Sequence, residues 1–336
     1  MFTFANYPFS KMPKKVKVKV KKSVEKGSLH PRNLHIGRYD LQELCASSPG
    51  LKPFVAPNQY GDESVDFSNP EAVKALNGAL LKHFYGIDGW DIPEGYLCPP
   101  IPGRVDYIHN MADLLAESNN GVIPTGNKIK VLDIGVGANC VYPLIGNSVY
   151  GWQFVGTDID SKAIDSAEKV VSLNKQLKDA IEIRFQANRA EIFKGVVNEG
   201  EVFDLVVCNP PFHATRQEAQ DSSAQKWEKL GVTEDKKGLN FGGTNTELWY
   251  AGGEAAFIGK MINQSLLLAR QCMWFSTLVS RRETLPVIYK ALEKVGAIDV
   301  KTINMSQGQK ISRVVTWTYL NEAERTEWMQ KRLDAV

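Results

Sequence analysis

A chain of 336 residues, 43% apolar and 23% charged, holds enough material for one large globular domain or two ordinary ones. No apolar run approaches the roughly 20 residues of a membrane-spanning helix, and no apolar leader follows the start, so a cytoplasmic protein without a membrane role is expected. The net charge of +2 hides an uneven distribution: eight lysines stand between Lys11 and Lys26 against one acid, Glu25.

Residues 1–27 therefore read as a basic arm, disordered in the free chain. Its lysines suit either nucleic acid or solvent. The Lys–Val alternation of 15–21 also has the period of a strand that pairs on a partner. Residues 28–103 follow as an accessory region rich in turn formers. Within it, Asn69-Pro70-Glu71 opens a helix over 70–85, with Val73, Leu76, Leu80, Leu81 and Phe84 at helical spacing. The extended stretch 98–103 leads into a helix over 104–118, where Ile108, Met111, Ala112 and Leu115 share a face.

From 128 the pattern becomes strand and helix in turn. Strands are expected at 128–134, 150–157, 181–186, 201–208 and 272–279. Helices are expected at 161–174 (capped by Ser161), 247–269 and 284–295. Two last strands, 298–305 and 313–320, are joined by a polar link too short for a crossover helix, so they pair antiparallel. This predicts an α/β fold over 104–336: a Rossmann-like, mostly parallel sheet with one antiparallel edge strand. Residues 213–246 form a long polar connection suited to a lid.

Two strand ends carry the chemistry. Asp133-Ile134-Gly135-Val136-Gly137-Ala138 follows the strand at 128–134. Glycine there lets a backbone approach a ligand, and the next helix offers free N–H groups. Asn139 stands where a dinucleotide fingerprint has its third glycine, which favours a nucleoside without a pyrophosphate. Asp158, at the end of the next strand, suits two ribose hydroxyls. Asp133 suits either the loop or a ligand ammonium. Each feature alone is also an ordinary turn or cap; in this order they favour S-adenosylmethionine.

The second end is Asn209-Pro210-Pro211-Phe212, directly after an apolar strand. A side-chain amide, a fixed backbone carbonyl and a ring can grip a planar amine: Asn209 and Pro210 accept its two N–H groups, and Phe212 stacks on the base. A Pro-Pro turn is the plain alternative. His213 is expected as a bystander. Arg104 suits the donor carboxylate or the surface, and Arg281, Arg282, Lys310 and Arg313 suit phosphates. Five cysteines without a Cys-x-x-Cys pair or a nearby histidine cluster argue against zinc.

Together these stretches are familiar. With 29–33, 37–40, 64–67, 99–104, 106–109, 132–146, 208–213, 239–243, 247–249 and 308–310, the chain resembles the bacterial 23S ribosomal RNA adenine-N6 methyltransferase F family, named for adenine 1618. It is similar, more distantly, to eukaryotic methyltransferase-like enzymes of small nuclear RNA. The resemblance implies methylation of one 23S rRNA adenine; the partner is expected to be 23S rRNA or a large-subunit precursor, and the chain a monomer without metal. It implies donor contacts at Arg104, Gly135, Asn139, Asp158 and Asn188 and catalysis at 209–212; Asp133 and Gly137 join the donor set from the loop. Asn139 replaces a serine of the eukaryotic relatives, and 186–188 departs from both groups. Arg32 and Arg38 lie in shared stretches and join the expected RNA contacts. Rival readings are methylation of another RNA or DNA adenine or of a protein glutamine, and an rRNA-binding assembly factor without catalysis.

Overall fold

Residues of alternating burial dictate the central sheet. Val131 of β4 (Lys130–Ile134) and Leu205 and Val207 of β7 (Phe203–Cys208) face one apolar core. Leu132, Val206 and Cys208 face a second core on the opposite side. The computed structural model describes residues 18–20, 29–219, 221, 245–307 and 310–334.

Beside those two strands run β5 (Gln153–Asp158), β6 (Ile181–Phe185), β8 (Cys272–Val279), β9 (Asp299–Gln307) and β10 (Lys310–Thr318). A three-residue strand, β1 (Val18–Val20), completes eight, in the order β1-β9-β10-β8-β7-β4-β5-β6. β10 alone is reversed: it pairs antiparallel with both β8 and β9. The sheet is thus mostly parallel, as expected, with the reversed strand one place in from β9. The expectation of an arm without regular structure is corrected over three residues. Val18–Val20 pair parallel with Val300–Thr302, because the outer side of β9 offers open backbone groups and the alternating arm can fill them.

Helices α3 (Ile101–Ala116) and α4 (Val141–Tyr150) cover one face. The helices α7 (Gly253–Ser265) and α8 (Leu285–Lys294) cover the other. Helix α5 (Ser161–Leu173) starts one residue earlier in its capping than expected: the Asp160 carboxylate, not Ser161, accepts the Lys162 N–H. The single helix expected over 247–269 is broken. Short α6 (Asn245–Leu248) ends before Gly252 and Gly253, whose φ of +85° and +70° leave helical space, and α7 begins there. Helix α9 (Glu322–Asp334), which no pattern in the sequence announced, is tied through Arg332 and Trp328 to the buried Asp204 carboxylate at the amino end of β7.

The N-terminal region supplies α1 (Leu41–Ser47), the β2/β3 pair (Val55–Pro57 with Glu63–Val65) and α2 (Pro70–Tyr85). Leu44, Leu51, Leu76 and Leu80 share one core with α3 and α4. Polar bonds fasten the same junction: Arg32 donates to Asp113 (2.8 Å), to the His109 carbonyl and to the Tyr150 hydroxyl, and Asn33 donates to Asp106. Among the described residues no helix is long and apolar enough to cross a membrane.

Candidate active site

β4 lies between β5 and β7, and the chain leaves it first toward β5 and later toward β7. Open α/β sheets bind ligands at such a reversal, outside the carboxyl ends of the strands. Register makes the crevice specific. Ile134 stands opposite both Thr157 and Cys208. The chain therefore leaves β4 through Gly135 right beside the point where β7 ends in Asn209.

The glycine loop is bonded to the neighbouring strand end. The Gly135 and Val136 N–H groups both donate to the Thr157 carbonyl at 2.9 Å, and the Gly137 N–H donates to the Asp158 carboxylate at 3.0 Å. Gly135 (φ +74°) turns its bare Cα to open space, so a ligand can lie against the backbone there. Asn139 caps the start of α4 by accepting the Val141 N–H, while its carbonyl takes the Trp90 indole N–H. Burial pushes the Asp158 carboxyl upward, opposed by the N–H groups of Asp160, Gly137 and Ile159.

Asp133 is fully buried, and among the described residues neither of its carboxylate oxygens has a hydrogen-bond partner. Burial first, then the Asp158 charge, holds it well above the usual carboxylate range, and Arg104 partly offsets this. Asp133 lines neither of the two clefts that meet at Asn209; a buried, unpartnered carboxyl behind the glycine loop is costly to the fold.

Two clefts meet at Asn209. The first is lined by Gly135, Gly137, Asn139 and Asp158 together with Asn209 and Pro211. The second is lined by Arg104 and Asp106 with Asn209 and Phe212, and by Leu278, Ser280, Met305 and Ser312. Pro210, between Asn209 and Pro211 in the chain, is buried. Arg104 stands on the second cleft; it donates to the Tyr142 hydroxyl at 2.8 Å and lies over that ring.

Asn188 does not line the first cleft. Its side chain closes an exposed turn by accepting the Ala190 N–H, and Gln186 lines the cleft in its place. This locates the departure at 186–188 in the wall of the site.

Several lining residues went unread in the sequence: Ile159, Arg189, Trp249, Tyr250, Lys260 and Glu247. Glu247 accepts the Leu97 N–H at 3.0 Å, and Lys260 lies over the Tyr250 ring. The motif Glu247-Leu248-Trp249 was the available signal, but it carried no chemistry until the fold brought it to the glycine loop. His213 is buried; its N–H donates to the Leu248 carbonyl and its carbonyl accepts the Tyr250 N–H. These bonds clamp both ends of the 213–246 connection, whose middle lies outside the described residues.

The expected RNA contacts divide. Arg281, Arg282 and Arg313 stand at the carboxyl end of the sheet, on the side of the clefts. Glu254 fixes the first of these by accepting the N–H groups of Ser280 and Arg281. Lys310 begins β10 at the same end, but its side chain lies outside the described residues. Arg38 is exposed and paired with Asp62, and Arg32 is taken up by Asp113, His109 and Tyr150. Among the described residues no group of three or more His, Cys, Asp or Glu could hold a metal ion.

Residues 23–321 match a family described as RNA methyltransferase. The chain belongs to that family. Its bacterial relatives named ribosomal RNA large subunit methyltransferase F include those of Photobacterium profundum, 52% identical over 94% of this chain and 99% of the relative, and Pseudomonas syringae, 57% identical over 90% and 92%. The catalytic domain of human METTL16, solved with a MAT2A 3'UTR hairpin, is similar at 29% identity and a TM-score of 0.74, over 88% of this chain and 96% of that one. The N-terminal domain of human METTL16 in complex with SAH is similar at 27% identity and a TM-score of 0.69, over 87% and 99%. The fold is that of a Rossmann-like methyltransferase, and the chain is an enzyme that methylates RNA.

Proposed function

We propose that this chain transfers a methyl group from S-adenosylmethionine to the exocyclic amine of one adenine in 23S ribosomal RNA, adenine 1618 by its family. The observation that carries this reading is the pairing of Cys208 with Ile134, which sets Asn209 beside Gly135 and makes it common to both clefts. Relatives named for large-subunit ribosomal RNA, at 51–57% identity, support the substrate class.

The residues present fit the donor. Gly135 leaves room for a nucleoside, Asp158 suits the ribose, and the orphaned Asp133 and nearby Arg104 suit the ammonium and carboxylate of the amino-acid end. When bound, S-adenosylmethionine supplies a methyl group on a sulfonium, ready for displacement. The chain then acts on the acceptor. Asn209 and the Pro210 carbonyl accept the two amine N–H bonds and turn the nitrogen lone pair out of the ring. Phe212 stacks on the base. With the donor bound, the nitrogen would take the methyl as the sulfonium S–C bond breaks, and the amine proton would leave afterwards to solvent. The adenine must be unpaired or turned out of its stack to enter.

Residues 104–336 then form the catalytic domain and 28–103 an accessory region that helps to grip RNA in the cytoplasm. Arg281, Arg282 and Arg313 would meet phosphates. Mapping N6-methyladenine in 23S rRNA from cells with and without the gene tests the assignment. Loss of one methylated adenine is expected; an unchanged map would refute it.

A further inference from the structure

The ladder between β7 and β8 stops before β7 does. It runs from Phe203 opposite Cys272 to Val206 opposite Phe275. Continued, it would set Cys208 opposite Thr277. Instead a side chain from α3 enters the gap. The Tyr107 hydroxyl lies 3.3 Å from the Cys208 N–H and 2.8 Å from Ser276 Oγ, and the ring is fully buried.

The Tyr107 hydroxyl also lies 3.5 Å from the Cys208 carbonyl, a longer contact than its 2.8 Å to Ser276. Ser276 donates its hydroxyl to the Val206 carbonyl at 2.6 Å. Its oxygen therefore accepts from Tyr107, and Tyr107 accepts from the Cys208 N–H. A phenol thus supplies the last rung at the residue immediately before Asn209. It also spreads β7 from β8 where the second cleft opens, between Asn209 and Leu278. On its other side the Tyr107 ring packs edge-on against Tyr142 (5.1 Å), which accepts from Arg104.

We infer that Tyr107 is a positioning residue for methyl transfer: its hydroxyl sets the end of β7 so that the Asn209 amide and Pro210 carbonyl meet the acceptor amine. This rests on the proposed role of the tetrapeptide. Small displacements of aligned groups can cost about a hundredfold in rate.

The test uses the full chain with large-subunit RNA and precursor particles from cells lacking the gene. Tyr107→Phe, Ser276→Ala and Asn209→Ala are compared for single-turnover transfer rate, donor dissociation constant and KM for RNA. Tyr107→Phe should lose roughly tenfold to a hundredfold in rate, with donor affinity within about twofold of the parent. Ser276→Ala, which removes the acceptor of the Tyr107 proton, should show the same split in milder form. If Tyr107→Phe fails to fold, Ser276→Ala decides alone. An unchanged rate, or rate and donor affinity falling together, would overturn the inference. Asn209→Ala separates the failures: if it is inactive while Tyr107→Phe is normal, only the role of Tyr107 falls. If Asn209→Ala keeps its rate, the tetrapeptide reading falls and takes this one with it.

Discussion

The Asp158 carboxylate accepts the backbone N–H of Gly137 at 3.0 Å, so the end of β5 holds the loop that leaves β4. One side chain thereby shapes the loop and faces the cleft that it forms. Asp158→Asn removes one of two carboxylate acceptors. Donor affinity should fall about tenfold, the worth of one charge-assisted hydrogen bond. Titration calorimetry checks this, and RNA affinity should be unaffected.

Asp133 tests the donor fit through stability. Its folded-state carboxyl lies well above the ordinary 3.8, through burial and then Asp158. The stability it lends is full below that value and is lost as pH rises toward the folded one. Asp133→Asn abolishes this titration. The unfolding midpoints of the two proteins should be close near pH 4 and diverge in favour of the variant by pH 8. Donor affinity should move the other way, because the amide no longer neutralises a cation. Denaturation series across pH, with and without the donor, measure both.

Gly137 sits at φ +65°, and a methyl there would approach Asn139 Nδ2 at 3.1 Å and Glu247 Oε1 at 3.3 Å. Gly137→Ala should cost about 1–2 kcal/mol in backbone strain. It should also weaken donor binding by displacing Glu247. Denaturant unfolding and calorimetry read the two effects.

The basic arm is testable apart from its strand. Deleting residues 2–17 removes Lys11, Lys14, Lys15 and Lys17 but spares Val18–Val20. If those lysines touch phosphates, the slope of log affinity against log salt should flatten by roughly 0.7–0.9 for each phosphate no longer neutralised. A filter-binding series in rising salt with large-subunit RNA measures it; an unchanged slope would remove the arm from RNA binding.

Features with a strong local cause were legible in the sequence. Gly135 and Gly137 after an apolar run, and Asn209-Pro210-Pro211-Phe212 after another, needed only the strand period to be placed at one end of a sheet. The antiparallel pairing of β9 and β10 followed from the shortness of their link. What stayed hidden depended on distant partners. Trp249 and Tyr250 reach the cleft only because residues 248–250 bond to His213 across a long connection. Gly252 and Gly253 look tolerable inside a helix until their φ values are seen. Val18–Val20 pair with a strand some 280 residues later, which no local pattern announces. Arg32, expected at RNA, is held by Asp113, a partner that only packing supplies.

The most direct test of the central claim is single-turnover methyl transfer by Asn209→Ala, with donor affinity measured on the same preparation. The geometry requires transfer to fall by at least about a hundredfold, the scale of losing a charge-stabilising group, while the donor still binds. Turnover near that of the parent would contradict it and would remove the junction of the two clefts from the mechanism.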